Sequence, residues 1–236
     1  MSNTLRMVSG ADLDPRALNA ARLQVWPEEE NSADCIASVL RLESHHSAAF
    51  VEDGRVAAFV DGFLTYSGEG VPRWEVDLLG TLADYRGQGL ARRLIEDNLR
   101  AGWQRGASFS RALIQLENHA SQRAFAACGF APADGVVRLW VCSRPLSEPA
   151  PLPPGQHLVP VETFNYRGVW LEGKLSAQGL RAARAWLPQG GGQICGVLMP
   201  REREDLHQAA QNEGYAWVND YQWWLLSRLE QGRKEE

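Results

Sequence analysis

The sequence predicts a mixed α/β protein in which helices cover a central sheet. Short apolar runs of strand length alternate with longer amphipathic segments along the whole chain. A proline-rich stretch at residues 145–157 separates a longer first part from a shorter second part. The 236 residues include 44% hydrophobic residues and nine tryptophans, which is enough for a sizeable core.

The first part, residues 1–144, begins with elements that support this fold class. The predicted elements before residue 62 are a strand at Leu5–Val8, helices at Pro15–Trp26 and Ser32–Leu42, and hairpin strands at 48–51 and 56–60. Asp53 and Gly54 lie between the two hairpin strands and form a strong hairpin signal. A fourth strand begins at Arg73. The helix after it has an apolar stripe that includes Leu94 and Leu99, as in any helix packed on a sheet.

The second part, residues 158–236, partly repeats this order. Its predicted elements are a strand at Thr163–Leu171, a helix at Ala177–Trp186, a strand at Ile194–Met199, a helix at Glu202–Asn212 and a strand at Tyr221–Leu226. The triplet beginning at Gln178 matches the triplet beginning at Gln88. We interpret the second part as a degenerate half-copy of the first, with the alternative that any βαβαβ segment would look similar.

The segment from Leu78 to Ile95 is the most informative, because it runs from a strand through a turn with two glycines into an amphipathic helix. Gly87 and Gly89 permit turn geometry and a close approach by a ligand. The free N–H groups of the first helical turn, the helix dipole and nearby arginines favour an anion such as a pyrophosphate. The turn lacks the third glycine of a dinucleotide-binding fingerprint. It also lacks the Gly-Lys-Ser/Thr of a nucleoside triphosphate-binding loop, so neither of these cofactor classes is favoured.

A second motif follows the predicted strand at Ala112–Leu116. Asn118 begins a short helix, Ser121 follows three positions later, Phe125 seven positions later, and a Gly-Phe pair closes the segment at residue 130. Together with Arg-x-x-Gly-x-Ala, which starts at Arg86, this segment resembles the GCN5-related N-acetyltransferases (GNAT). The resemblance covers roughly residues 5–142.

The resemblance implies a GNAT-like acyl-CoA N-acyltransferase fold for residues 1–144, followed by a GNAT-like half-domain. It implies an N-acetyltransferase that uses acetyl-CoA and transfers the acetyl group to an amine of a small molecule or peptide in a ternary complex. The positions that it assigns to acetyl-CoA are Leu79, Gly80, Thr81, Arg86, Gly87, Gln88, Gly89, Leu90, Ala91, Arg92, Asn118 and Phe125. Backbone N–H groups at the first three would bind the thioester carbonyl if the strand splays from its neighbour. Asn118 would hold the pantetheine amides or, alternatively, cap its helix.

The resemblance also indicates where a base would lie. The family commonly has an acidic residue near Asp77, and strict alternation along the fourth strand places Glu75, Asp77, Leu79 and Thr81 on one face. We expect Asp77 or Glu75 to take the amine proton, directly or through a water. The alternative is that one or both are solvated edge charges.

A proton donor for the leaving thiolate is the point at which the sequence departs from the family. Many members have a tyrosine where this chain has Phe125, and a phenyl ring cannot donate a proton. Water, Ser121 or Cys128 could substitute. The departure keeps open a second hypothesis, a non-catalytic acyl-CoA-binding protein that acts as a sensor or interaction module.

The second part does not rebuild the anion site. Ser176 and Ala177 stand at the positions that correspond to Arg86 and Gly87, and Ala210 stands where the first part has an aromatic residue. We therefore expect a single cofactor site.

Charge, cysteine content and hydropathy limit the partners. The net charge is −5 without a basic run, so we expect no nucleic acid. The four cysteines are widely spaced and have no partners at zinc-binding spacing, so we expect buried reduced thiols and no metal. We find neither an apolar targeting core nor a membrane-spanning run, and we expect a cytoplasmic monomer or homodimer.

Overall fold

The computed structural model describes residues 5–30 and 32–228. The helices are α1 (Pro15–Val25), α2 (Ala33–Val39), α3 (Leu90–Gln104), α4 (His119–Ala127), α5 (Ala177–Gly190) and α6 (Glu204–Asn212). The strands are β1 (Arg6–Ser9), β2 (His45–Glu52), β3 (Arg55–Tyr66), β4 (Pro72–Thr81), β5 (Phe109–Gln115), β6 (Ala131–Pro132), β7 (Val137–Cys142), β8 (Gln156–Glu162), β9 (Arg167–Gly173), β10 (Ile194–Pro200) and β11 (Ala216–Ser227). The outermost residues of the two expected parts, 1–4 and 229–236, lie outside the described residues.

The helices begin and pack as the sequence signals indicate. Asp14 caps α1 by accepting a hydrogen bond from the Arg16 N–H at 2.9 Å, and Pro15 occupies the first helical position. Helix α3 packs on strands β2 to β4, where Leu94 and Leu99 are buried. The predicted α/β class is confirmed.

The strands form one mixed sheet that includes both parts of the chain. Its order is β1-β2-β3-β4-β5-β11-β7-β10-β9-β8, with β6 paired to β11. Neighbours are antiparallel except for β4 with β5 and β9 with β10. Strand β11, from the second part, lies between β5 and β7 of the first. The local sequence patterns did not predict this exchange.

The central strands follow the same pattern whether the sheet is read from its β1 end or from its β8 end. One unit reads β4-β5-β11 and the other reads β9-β10-β7. In each unit a parallel strand pair is followed by an antiparallel strand that comes from the other part of the chain. Two βαβαβ units that exchanged their last strands would give this order.

The prediction of one strand at Thr163–Leu171 is wrong. A β8–β9 hairpin occupies this region, and residues 163–166 form its turn. Thr163 Oγ1 accepts hydrogen bonds from the N–H groups of Asn165 and Tyr166, both at 3.2 Å, and the Thr163 N–H donates to the Tyr166 carbonyl at 2.8 Å. These local bonds compete with strand pairing and turn the chain.

The β8–β9 hairpin folds back onto the first part, although six strands lie between β3 and β8 in the sheet order. Phe63 of β3 contacts Trp170 of β9, with ring centroids 5.9 Å apart. Phe164 is fully buried in the cluster that contains Leu18 and Phe59. The sheet is therefore strongly curved, and its inner face encloses a cavity.

The cysteines are unpaired, as expected, but only two of them are buried. Cys142 and Cys195 are buried, whereas Cys35 and Cys128 are partly exposed. Among residues 5–30 and 32–228, no helix combines the length and apolar character that a membrane crossing requires.

Candidate active site

The turn between β4 and α3 presents a row of backbone N–H groups. Gly87 and Gly89 have φ values of +77° and +73°, in the left-handed region that favours glycine. A Cβ on either glycine would meet nothing within 4 Å, so the turn is open on its outer side. The Arg93 N–H donates to the Gly89 carbonyl at 3.2 Å. The N–H groups that precede it in the first turn have no intrahelical acceptor, which suits an anionic ligand.

The arginines around this turn are held by protein contacts. Arg86 donates from Nε to the Thr81 carbonyl at 3.3 Å. Arg92 pairs with Glu96 at 2.7 Å. The guanidinium of Arg93 lies 4.4 Å from the centre of the Phe50 ring. The positive ends of these side chains are thus placed around the turn by contacts within the protein.

Strands β4 and β5 diverge just before this turn. They pair only where Arg73 to Glu75 face Phe109 to Arg111, although β4 continues to Thr81 and β5 to Gln115. Beyond the last pair the facing edges separate into a wedge. The splay that the resemblance implied is present, and it exposes the β4 backbone near Leu79 to Thr81.

A bulge in β4 interrupts the strict alternation of its side chains between the two faces of the sheet. Val60 faces Leu79 and Gly62 faces Val76, so β4 has one residue more than β3 in this interval. Leu79 therefore packs toward α3 with Val76, whereas Leu78 packs with the α1 cluster. The expectation that Leu79 shares a face with Glu75 is wrong.

Glycine at position 80 has a packing explanation. A Cβ there would lie 2.5 Å from Cζ of Phe59. The ring of Phe59 is fully buried against α1 residues such as Leu18 and contacts Trp26 edge-on. Glycine thus lets this ring lie directly against the β4 backbone beside the wedge.

A cavity of about 720 Å³ occupies the inner face of the curved sheet. It reaches from the β4–β5 wedge to strands β9 and β10, so both parts of the chain form its walls. The walls are rich in aromatic side chains, which include Trp26, Phe125, Tyr166, Trp170 and Trp223. Size and lining are typical of a small-molecule site.

Asp77 faces this cavity. Its side chain is exposed to the cavity, and no ion pair or hydrogen bond involves its carboxylate within residues 5–30 and 32–228. The surrounding protein removes water from the group, and the negative charges of Asp61 and Glu75 add to this effect. Together they raise the pKa of Asp77 to about 7. A carboxylate with this pKa can accept a proton near neutral pH.

Glu75 lies in a very different environment. Arg111 Nε donates to both of its carboxylate oxygens, at 2.9 and 2.7 Å, and Arg73 Nε lies 3.0 Å away. Thr65 donates a further hydrogen bond to it. Glu75 is 3% exposed. Its lone pairs are occupied by these partners, so the contacts favour Asp77 over Glu75 as the base.

The second motif lies along the wedge. Asn118 caps α4 by accepting a hydrogen bond from the Ser121 N–H at 3.1 Å, and both residues line the cavity. Phe125 is 3% exposed; it lines the cavity and contacts Phe130 edge-on, with centroids 5.0 Å apart. Cys128 Sγ is directed toward the Arg92 carbonyl at 3.7 Å, and burial raises its pKa to about 11. Ser121 is therefore better placed than the thiol to act in the cavity.

Tyr166 is a cavity residue that the sequence analysis missed. It lies at the β8–β9 turn, and its hydroxyl accepts a hydrogen bond from Trp170 Nε1 at 2.9 Å. Burial and the nearby charge of Asp77 raise its pKa well above the usual value, so the hydroxyl keeps its proton. Nothing in the sequence indicated that Tyr166 belongs to the site, because the residue lies inside a predicted strand and is far in sequence from the two motifs.

The comparisons with known proteins agree with this geometry. The model of the acetyltransferase (GNAT) family matches residues 15–130, which contain the glycine turn, the wedge and the Asn118 helix. These residues are a GNAT acetyltransferase domain. Among curated proteins, none matches the sequence.

Solved structures of acetyltransferases share the fold of the chain. A putative acetyltransferase from Pyrococcus horikoshii is 12% identical, with a TM-score of 0.58 over 96% of this chain and 92% of its own. A GCN5-related N-acetyltransferase from Sphaerobacter thermophilus is 15% identical, with a TM-score of 0.55 over 95% of this chain and 97% of its own. The aminoglycoside N-acetyltransferase AAC(6')-Iy, in complex with CoA, is 20% identical, with a TM-score of 0.50 over 56% of this chain and 90% of its own.

Outside the GNAT domain, the N-terminus of α5 is closed. Ser176 caps the helix by accepting a hydrogen bond from the Gly179 N–H at 3.3 Å, and it accepts a second one from Gln156 Nε2 at 2.9 Å. Gly179 lies inside the helix and is buried. The side chain of Ser176 occupies the place that an anion would need. Within the described ranges, no group of three His, Cys, Asp or Glu residues could hold a metal ion.

Proposed function

We propose that the protein is an acetyl-CoA-dependent N-acetyltransferase that transfers the acetyl group to an amine by direct attack in a ternary complex. The observation that carries this proposal is Asp77. A carboxylate with a pKa of about 7, which forms no ion pair among the described residues, faces the cavity at the edge of an open strand wedge. Ionisable groups with a strongly shifted pKa that lie in a cleft occur preferentially at functional sites.

Acetyl-CoA would lie along the wedge. The pyrophosphate binds the N–H groups of the glycine turn, at residues 86–92, and the dipole of α3 adds to the attraction. The pantetheine arm extends between β4 and β5 and passes Asn118 and Phe125. Backbone N–H groups near Leu79 to Thr81 would then donate to the thioester carbonyl, whose oxygen becomes negative as the amine attacks.

The chemistry needs one base and one proton donor. The amine nitrogen attacks the carbonyl carbon while Asp77 accepts its proton, and the oxyanion that forms is held by the backbone donors. The C–S bond then breaks, and the thiolate leaves with the bonding electrons. Ser121 and Tyr166 both line the cavity, and the hydroxyl group of either one would supply its proton, directly or through a water.

The charge of the cavity favours a cationic acceptor. Among the described residues, five carboxylates line it, those of Glu28, Glu29, Glu75, Asp77 and Glu172. Arg22 pairs with Glu29, and Arg73 and Arg111 pair with Glu75 and Glu172, so the charge that these arginines leave unbalanced is that of Glu28 and Asp77. The negative field attracts an ammonium group, and the aromatic walls add cation–π attraction. We therefore propose an amine-bearing small molecule or peptide terminus with additional positive charge as the acceptor.

One observation favours a different function. Phe125 is buried where many family members have a proton-donating tyrosine, and without such an acid turnover could fall below a useful rate. The protein would then be an acyl-CoA-binding module without catalysis. In that case Asp77 would still have its raised pKa, but its removal would change neither binding nor any reaction.

A paired experiment separates the two functions. Release of free thiol from acetyl-CoA is measured against a library of neutral, monocationic and polycationic amines, and binding of CoA is measured by calorimetry. Thiol release with cationic amines that Asp77→Asn abolishes would support the enzyme. Binding without thiol release for any amine would support the module, and absence of binding would contradict both.

We also propose that the chain is divided as the sequence indicates, with the acetyltransferase domain at 1–144, a linker at 145–157 and a degenerate half-domain at 158–236. The strand order, in which each unit receives its last strand from the other, supports this division. Strand β8 begins at Gln156, so the last two linker residues are already part of the sheet. A cytoplasmic location and a monomer or homodimer remain predictions.

A further inference from the structure

Three buried charged side chains and a half-buried one, that of Glu172, meet at the vertex of the β4–β5 wedge. Glu75 of β4 and Arg111 of β5 face each other in the last pair between the two strands, and Arg73 belongs to the first pair, two residues earlier on β4. Glu172 comes from β9, in the second part of the chain, and approaches from the inner face of the curved sheet. Arg73 and Glu75 are each 3% exposed, and Arg111 is 9% exposed.

Glu172 bridges the two strands that form the wedge. Its Oε1 accepts hydrogen bonds from Nη2 of Arg111 at 2.7 Å and from Nη2 of Arg73 at 2.8 Å. Its Oε2 lies 2.8 Å from Nη1 of Arg73 and 3.0 Å from Nε2 of His157. Although burial opposes ionisation, the ion pairs with Arg111 and Arg73 hold the pKa of Glu172 below its usual value. The carboxylate is therefore charged at neutral pH.

Arg111 is oriented from three directions. Glu75 on β4 binds its Nε, Glu172 on β9 binds its Nη2, and its guanidinium lies 4.2 Å from the ring centre of Trp223 on β11. The residues immediately after Arg111 no longer pair with β4. Arg111 is thus held at the point where the two strands begin to diverge.

We propose that Glu172 is a positioning residue through which the second part of the chain sets the opening of the acetyl-CoA wedge. By holding Arg73 of β4 and Arg111 of β5 on one carboxylate, it fixes the separation of the two edges between which the pantetheine arm and thioester lie. Without Glu172, the guanidinium groups of Arg73 and Arg111 share the single negative charge of Glu75. The separation of β4 and β5 is then no longer fixed at this point. This inference rests on the proposed acetyl-CoA site.

The test uses the full chain and four proteins. Glu172→Gln removes the bridge and leaves an excess buried positive charge. Arg73→Gln with Glu172→Gln also removes the bridge but leaves the Glu75–Arg111 pair balanced. Glu162→Gln is the matched control, because Glu162 lies in the same hairpin and forms an exposed ion pair with Arg167 at 3.5 Å. The wild-type protein is the reference.

Binding of CoA is measured by calorimetry well below the melting temperature of each variant, and acetyl transfer is measured where it is detectable. We expect Glu172→Gln to melt at a lower temperature, because it leaves an unpaired buried charge. It should bind CoA roughly tenfold more weakly, and its kcat/KM for acetyl-CoA should fall by up to about 10²-fold, as expected when reacting groups are misplaced. Hydrogen exchange should increase at residues 76–80 and 112–115. Glu162→Gln should match the wild type.

The double variant separates positioning from simple charge balance. If Glu172 positions the wedge, the double variant recovers the melting temperature while CoA binding stays weak. Recovery of both would overturn the proposal, and so would wild-type CoA affinity in folded Glu172→Gln. A wild-type protein that does not bind CoA would instead overturn the proposed function, and the positioning role with it.

Discussion

The β4–α3 and β9–α5 units have the same architecture but different chemistry at the start of the helix. Each is a strand paired briefly with a parallel neighbour, over three residues in β4 and four in β9, after which the strands part and the chain enters a helix. Both diverging edges border the same cavity. At α3 the turn is exposed and its N–H groups face solvent, whereas at α5 Ser176 occupies the helix N-terminus.

The two copies of the Gln-Gly-Leu triplet show how this difference arises. Gly89 precedes α3 and has φ of +73°, so it ends the turn in a left-handed conformation. Gly179 lies within α5, where a Cβ would lie 1.7 Å from Oε1 of Gln156. The same three letters therefore mark an open turn in one unit and a close helix contact in the other. The two units share the diverging strands, and the conformation of the turn is what distinguishes the proposed anion site from the start of α5.

The largest expected effect is on the open turn. Gly89→Val places a β-branched residue at φ of +73°, where left-handed geometry costs about 1–2 kcal/mol. We expect the turn to change conformation, because valine disfavours the positive φ that the turn requires, although the added side chain itself would meet no atom within 4 Å of its Cβ. CoA binding should fall below detection in calorimetry while the circular dichroism spectrum stays close to that of the wild type. Wild-type affinity in a folded variant would exclude this turn as the cofactor site.

The second-largest effect is expected at Asp77, an acidic residue that has no acidic counterpart in β9. Asp77 lies two positions beyond the last residue of β4 that pairs with β5, and the corresponding position of β9 is Gly173. Asp77→Asn should retain acetyl-CoA binding and lose roughly 10²-fold in acetyl transfer, the low end for loss of a positioned base. In the wild type, kcat/KM should rise with pH and level off above about pH 7. This increase should be absent in the variant. Retained activity would show that the amine arrives neutral.

The raised pKa of Asp77 also predicts an effect on stability. A carboxyl group whose pKa is higher in the folded state stabilises the fold at low pH, and this contribution is lost as the pH rises through about 7. At pH 8 the wild type therefore carries a charge that its surroundings disfavour. Asp77→Asn should melt about 2–4 °C higher than the wild type at pH 8, equivalent to about 1 kcal/mol, with solvent in the cavity limiting the gain. An equal difference at pH 4 would contradict this explanation.

These residues also show how far the sequence could predict the candidate site. The turn, the wedge helix and Asp77 could be proposed from the sequence because their signals are local. The bulge at Asp77 was not found, because alternation assumes an unbroken ladder. The bridge to Glu172 and the insertion of β11 were not found either, because pairings between distant residues leave no local pattern. Glu75 and Asp77 looked equivalent in the sequence, and only the arginines around Glu75 distinguish them.

A smaller effect is expected at Phe125, whose counterpart in the second unit is Ala210. Ala210 is fully buried in the second core, whereas Phe125 borders both core and cavity. Phe125→Tyr should raise turnover by about tenfold with unchanged acetyl-CoA affinity, part of the roughly 10²–10⁴-fold that a positioned acid supplies. Unchanged turnover would mean that Ser121, Tyr166 or water already donates the proton. A marked fall in melting temperature would show that the para position packs in the core.

The smallest effect on binding is expected at the closed helix. Ser176→Ala removes the cap of α5 and its hydrogen bond from Gln156, which should destabilise the protein by about 1 kcal/mol. CoA affinity and a stoichiometry of one CoA per chain should not change, since α5 lacks a glycine turn that could direct its N–H groups outward. Ser176→Thr, which keeps a capping hydroxyl, is the control and should remain as stable as the wild type. A second equivalent of CoA bound to Ser176→Ala would mean that the serine alone keeps a second anion site closed, and the two units would then differ by one side chain rather than by the conformation of the turn.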